Sequence, residues 1–441
     1  MRKFLLLSVC ALSLTGCSLL SSWFDEEEDP PLPGERISVL ELQKALEPED
    51  PVLEAQGLLA PSAWRNEFWP QVGGYPNHSM QHLQLGEKPL TLAWKADIGE
   101  GGDNGFPLVS QPVIVESRIF TLDADGNLGA FDIATGKEAW RINASNPKED
   151  DPVIGGGVAF SAGVLYVANG YNELLAVNPE NGKLYWRKPM PAPSRAAPTV
   201  MDGKIYLTTM DNRLMALNAT DGSTIWEYKG LSETAGLVGA ASAAANRDIV
   251  VPVFNSGEIT ALRVENGSVA WTDNLANLKS MGGLAGMSDI RGLPVIDKGL
   301  VFAISYSGKM VAMDERSGTR VWQREIGGSQ TPWLAGNYIF VLSSNNQLVA
   351  MGRDNGVIRW VTDLARWADK DREEPVSWVG PVLAGNRLIL AGTEGRVVEI
   401  SPENGKVLRE WSVDKTVSIP PVVAGSTLYL LADDGTLMAY K

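Results

Sequence analysis

His78 and His82 are the only two histidines among 441 residues. They stand four apart, a spacing that would place two imidazoles on one helical face as a metal pair. Their surroundings argue against that use: Pro76 lies two residues before His78, and the nearest carboxylate, Glu87, is off the face a pair would need. With no His left further along the chain, no imidazole base is available there, and the many Asp fall mostly in turns. No Gly-x-Ser-x-Gly elbow sits between a strand and a helix, and Gly155-Gly156-Gly157 lacks the following helix and Lys of a phosphate loop. Two Cys cannot build a four-cysteine zinc site, nor two His a three-histidine one. A net charge of −15, from 38 Lys+Arg against 53 Asp+Glu, offers no basic face for nucleic acid. The residues therefore predict a non-enzymatic protein with no catalytic set, no metal and no cofactor.

One cysteine does carry chemistry. Arg2 and Lys3 precede an apolar run, Phe4 to Leu14, too short to span a bilayer but suited to a secretory signal. The run ends in Leu14-Thr15-Gly16-Cys17, which resembles a bacterial lipobox. The resemblance implies cleavage after residue 16 and acylation of Cys17. Ser18, in place of the Asp of inner-membrane retention, implies sorting to the periplasmic face of the outer membrane. Cys10 leaves with the signal, so the mature chain would carry no free thiol, and losing Arg2 and Lys3 takes its charge to −17. Several acyl chains anchor firmly where one would not.

The elements behind this anchor divide in two. Residues 17–89 open with the acidic run Asp25 to Asp29 and Pro30-Pro31, a solvated tether. Ile37 to Leu46 has helical spacing, and Trp64 to Pro89 is irregular and rich in Trp, Gly and Pro. Residues 90–441 are one repeated unit, an Ala, a turn ending in Gly, and Trp four residues after the Gly. Copies end at Trp140, Trp186, Trp226, Trp271, Trp322 and Trp360. A seventh is degenerate: Glu399 replaces Ala, and Trp411 lies six residues after Gly405, with Arg409 in the expected place. Each interval holds short alternating strands split by turns such as Asp202-Gly203 and Asp221-Gly222. Four strands per repeat of this length predict an all-β fold of propeller blades. The chain stops at a third strand, Gly435 to Lys441, and the missing fourth lies in Leu90 to Lys95 around Trp94. The expectation is eight four-stranded antiparallel blades in a ring closed by the two ends of the chain.

The repeat resembles the tryptophan-docking motif of the pyrroloquinoline quinone (PQQ) propeller family, with Asp132, Thr135, Gly136, Lys137 and Trp140 as its best copy. The resemblance implies that each Trp stacks on a neighbouring blade, which suits a large flat ring that buries much area. Quinone-dependent dehydrogenases of this family carry an adjacent Cys pair that is missing here. The lipobox and the lean ring resemble instead the lipoprotein branch that serves the outer-membrane β-barrel assembly machinery, and Met287 to Arg291 is similar to the corresponding blade of that branch.

Propeller function resides on loops joining one blade's outer strand to the next blade's inner strand. The long ones are Lys229 to Ala241, Asp273 to Gly292 and Asp363 to Ser377. Leu231, Leu237, Val238, Leu284 and Met287 make the first two apolar, which reads either as a protein-docking patch or as loops folded inward over the channel. With Asp289 and Arg291 they form the expected partner-binding set, and Asp363 to Glu374 reads as a short solvated helix. The resemblance implies a scaffold that binds the periplasmic domains of a barrel-shaped assembly protein and meets unfolded outer-membrane precursors. The rivals are a PQQ-binding dehydrogenase or sensor, and a lipid-anchored cell-wall or glycan binding module.

Overall fold

The computed structural model describes residues 46–49, 57–86, 89–103, 105–146, 153–231, 240–276 and 289–441. Residues Glu47–Lys441 form one compact unit. The signal, Cys17, the acidic run and the expected helix up to residue 45 lie outside the described residues.

The described residues form eight four-stranded antiparallel sheets, the blades of an eight-bladed β-propeller. Blade 1 consists of Val113–Val115, Arg118–Leu122, Asn127–Asp132 and Glu138–Asn143. Blades 2 to 8 begin at Gly157–Ser161, Thr199–Met201, Ala244–Ala245, Val295–Asp297, Trp333–Ala335, Trp378–Ala384 and Val422–Ala424. Second and third strands are almost continuous apolar runs, because neighbouring blades cover both of their faces. The fourth strand lies outermost, so residues such as Glu138 and Ala139 are exposed.

Within each repeat the third strand sets a fully buried Ala opposite the Trp of the fourth. The pairs are Ala130 with Trp140, Ala176 with Trp186, Ala216 with Trp226, Ala261 with Trp271, Ala312 with Trp322 and Ala350 with Trp360. A bulge adjoins every pair, where the extra residue bends the outer strand as it leaves its turn. Blade 8 is built from both chain ends: Thr436–Tyr440 is its third strand and Leu92–Asp97 its fourth, and Trp94 pairs with Ala439 in the same Ala–Trp relation. Sealing the ring this way pairs strands that would otherwise be exposed edges.

One segment reads differently from its sequence. Asp363 to Glu374 is not a helix: Trp367 bridges Pro375, and the Asp369 carboxylate accepts the backbone N–H groups of Glu373 and Glu374. An Asp that satisfies backbone donors in this way stabilises a folded-back loop at the expense of a helical turn. Residues 57–86, irregular as expected, pack against the innermost strands of the ring. Trp69 exchanges backbone hydrogen bonds with Ile114 of blade 1, and Pro70 accepts from Phe160 of blade 2. Gln71 bonds both ways with the Val200 backbone of blade 3. Pro76 accepts from Ala245 of blade 4, Asn77 from Ile296 of blade 5, and Gln81 from the Trp333 indole of blade 6. The segment also binds turns that follow first strands, such as Gly336 and Gly385. It therefore fills the channel mouth on the face opposite the loops that connect successive blades.

Candidate functional site

The repeated Trp residues hold neighbouring blades together through one geometry. The indole N–H donates to a backbone carbonyl in the next blade's turn: Trp94 to Ile133, Trp140 to Pro179, Trp226 to Val264, Trp271 to Glu315, Trp322 to Arg353 and Trp360 to Pro402, at 2.7–3.3 Å. The ring lies over that turn's Gly so closely that a Cβ on Gly136 would come within 2.4 Å of Trp94, and one on Gly222 within 3.1 Å of Trp186. Each of these Gly also has a positive φ, +71° at Gly136 and +70° at Gly222, so the position needs Gly for conformation and for space. Trp411 stands apart. The register sets Arg409 opposite Glu399 and Trp411 opposite Val397, and the Trp411 indole donates to the Glu399 carboxylate at 3.0 Å within its own blade. Its ring meets Tyr440 of blade 8 at 4.9 Å.

Protein fills the channel mouth on the side of the docking turns. Trp69, 1% exposed, stacks on Trp333 with ring centroids 6.5 Å apart and donates to the Gln111 side chain at 3.0 Å. Met80 and Leu83 are buried beside it. Both histidines belong to this segment, and neither is poised to bind a metal with the other. His78 Nδ1 donates to the Pro294 carbonyl at 2.7 Å. His82 Nε2 accepts the Asn386 N–H at 3.0 Å, so its Nδ1 carries the proton toward the Pro61 carbonyl at 2.6 Å. No group of three His, Cys, Asp or Glu side chains is placed to hold a metal among the described residues. The adjacent Cys pair of the quinone-dependent dehydrogenases is missing from the sequence.

Burial lowers the His78 pKa to about 4. Between its ordinary value of 6.5 and about 4, the unfolded chain binds a proton that the folded one refuses. Stability is therefore fully present above pH 6.5 and falls as the pH drops through that window, by at most about 3 kcal/mol for this one group. His78→Gln is expected to flatten the slope of stability between pH 6.5 and 4 in urea titrations. An unchanged slope would mean that the imidazole is not held neutral.

The expected docking loops rise from the opposite face, between adjacent blades. Leu231 is 61% exposed at the root of the first. Its N–H donates to the buried carboxylate of Glu258 at 2.8 Å, and its carbonyl accepts from Asn212 at 2.5 Å. Glu258 also accepts the Tyr228 and Thr260 hydroxyls at 2.7 and 2.9 Å. Burial, followed by this carboxylate, raises the Tyr228 pKa. Sequence reading missed Glu258, because a Glu also opens the third strand of blade 2, where Glu173 pairs with Arg187, and the two are indistinguishable by position. The second loop is rooted at Leu275, fully buried, and at Ala276, whose carbonyl accepts Lys309 Nζ at 2.6 Å. On its far side Asp289 is buried, Ile290 is buried and Arg291 is exposed. Leu237, Val238, Leu284 and Met287 lie outside the described residues. The structure thus brings Leu231, Asp289 and Arg291 to the bases of neighbouring loops on one face, with Asp289 turned inward.

Comparisons with known proteins give the family from the sequence and the fold from solved structures. The family model described as outer membrane protein assembly factor BamB matches residues 91–159, 124–362 and 363–441. The outer membrane protein assembly factor BamB of Yersinia pestis is 26% identical over 357 residues, which span 79% of this chain and 88% of the relative. Among solved structures, BamB from Moraxella catarrhalis superposes with a TM-score of 0.68 at 18% identity, over 80% of this chain and 100% of that one. Quinohemoprotein alcohol dehydrogenase from Comamonas testosteroni shares the fold at a TM-score of 0.64 and 13% identity, over 86% of this chain and 81% of that one.

Proposed function

The chain belongs to the family of the outer membrane protein assembly factor BamB, and from that premise we propose that it is a non-enzymatic scaffold of outer-membrane β-barrel assembly. It is held by lipid on Cys17 at the periplasmic face of the outer membrane. It binds the periplasmic domains of a barrel-shaped, BamA-like assembly protein through the loops around Leu231, Leu237, Val238, Leu284, Met287, Asp289 and Arg291, and assists precursors delivered there. The family match across residues 91–441 carries this reading. Two features of the ring support it. Its channel mouth on the side of the docking turns is filled by the chain's own Trp69, Met80 and Leu83, which are buried as packed core. Its two apolar loops have rigid roots on one face, the arrangement expected of a docking surface rather than of a reaction centre.

Affinity purification of the full lipidated protein from its own membranes tests the proposal. Recovery of an outer-membrane barrel protein carrying periplasmic domains is the expected result. Leu231→Asp combined with Leu237→Asp and Leu284→Asp is expected to reduce that recovery at least about tenfold, since a charge buried in an apolar contact costs more than 1.4 kcal/mol. Leu231 is exposed and supports no core, so Leu231→Asp alone should hardly change the melting temperature. Undiminished recovery from the triple variant would place the docking face elsewhere.

A further inference from the structure

Seven of the eight junctions between blades share the indole-on-glycine contact: Trp94 on Gly136, Trp140 on Gly182, Trp186 on Gly222, Trp226 on Gly267, Trp271 on Gly318, Trp322 on Gly356 and Trp360 on Gly405. The eighth, between blades 7 and 8, cannot have it. The receiving Gly lies in the turn that joins third strand to fourth, and in blade 8 those strands are the two ends of the chain, Thr436–Tyr440 and Leu92–Asp97. Degeneration of the seventh repeat is the counterpart of this gap: with no turn to dock on, Arg409 occupies the Trp register, and Trp411 donates to Glu399 of its own blade and sets only its ring against Tyr440 of blade 8.

The segment that fills the channel mouth crosses this junction. Near its start, Asn66 Nδ2 donates to Val423 of blade 8 at 2.5 Å, and the Asn66 carbonyl accepts from Gly425 at 2.8 Å. Near its end, Leu83 bridges Ala384 of blade 7, its N–H donating to Leu383 at 3.0 Å and its carbonyl accepting from Gly385 at 2.9 Å. His82 Nε2 accepts from Asn386, and Arg387 Nη2 donates to the Gly86 carbonyl at 2.8 Å. The two ends are themselves paired: Trp64 bridges Leu83, with the Trp64 N–H bound to His82 and its carbonyl to Gln84. A continuous run of backbone and amide hydrogen bonds therefore joins blade 8 to blade 7 through Asn66, Trp64 and Leu83. We propose that residues 64–86 staple the one junction that lacks a tryptophan dock, so that the ring's weakest seam is held from inside the channel.

Hydrogen exchange of the full-length protein, read blade by blade, tests this. Asn66→Ala removes the amide bond to blade 8 and is expected to speed exchange roughly tenfold in Val422–Ala424, Thr427–Leu431 and Trp378–Ala384, while blades 3 and 4 keep the parent rates. Gln71→Ala removes two bonds to blade 3, where both junctions retain their docks, and is expected to affect Thr199–Met201 alone. Should Asn66→Ala fail to fold, Asn66→Ser should show the same pattern more weakly. Unchanged rates at blades 7 and 8, or an equal rise in all eight blades, would overturn the proposal.

Discussion

Gly267→Ala is expected to destabilise the ring severely, and Gly203→Ala only mildly, although the two glycines have nearly the same backbone conformation, φ +72° and +74°. Both substitutions place a Cβ in the left-handed region, at a cost of roughly 1–2 kcal/mol. At Gly203 nothing lies within 4 Å of the new atom. At Gly267 it would sit 2.6 Å from two carbons of the Trp226 ring. That indole cannot retreat, since its N–H is bound to Val264 at 3.3 Å and its far side packs on Tyr206 with centroids 6.0 Å apart. Overpacking a rigid contact adds about 1–3 kcal/mol. Urea unfolding should therefore separate the two variants by that amount. Equal losses would mean that the docking glycines are needed only for their conformation and not for the indole above them.

Arg387→Met is expected to cost about 3–5 kcal/mol, since it strands a buried carboxylate. Arg387 and Glu399 face one another at 3.1 Å with side chains only 6% exposed. Arg387 further donates to the Gly385 carbonyl at 3.1 Å and to Gly86 in the channel segment, and Glu399 receives the Trp411 indole. Replacing both, as Arg387→Met with Glu399→Ala, restores the Ala of the other repeats and leaves no unpaired charge. The double variant should then lie closer to the parent than Arg387→Met alone, in a double-mutant cycle followed by thermal unfolding. If the two losses simply add, the pair is not coupled and the degenerate repeat has another cause.

How much of this could be read from the chain depends on distance along it. The Ala-to-Gly-to-Trp spacing encodes contacts between strands a few residues apart and a dock roughly forty residues on, and it recurs so often that blade number and ring closure follow from counting. Ala130 to Trp140 reports its own register because a small residue must face a large one across a bulge. The degenerate seventh copy was visible as an irregularity, but its reason was not: a missing turn in blade 8 explains it only once blade 7 is seen beside the joined chain ends. Glu258 likewise resembles any charged strand residue until Leu231, Tyr228 and Thr260 converge on it. The Asp363 to Glu374 loop has the spacing of a helix and is none, because local spacing does not reveal which backbone donors a carboxylate such as Asp369 will capture.

The blade, its repetition and its closure follow from side-chain sizes and turn conformations that recur at short range along the chain. What occupies the channel mouth depends instead on contacts that exist only in the closed ring. Asn66 and Val423 are 357 residues apart and belong to no period. Their contact exists because a closed ring presents eight inner strands to one axis, and the nearest irregular segment, rich in amide and indole donors, satisfies them.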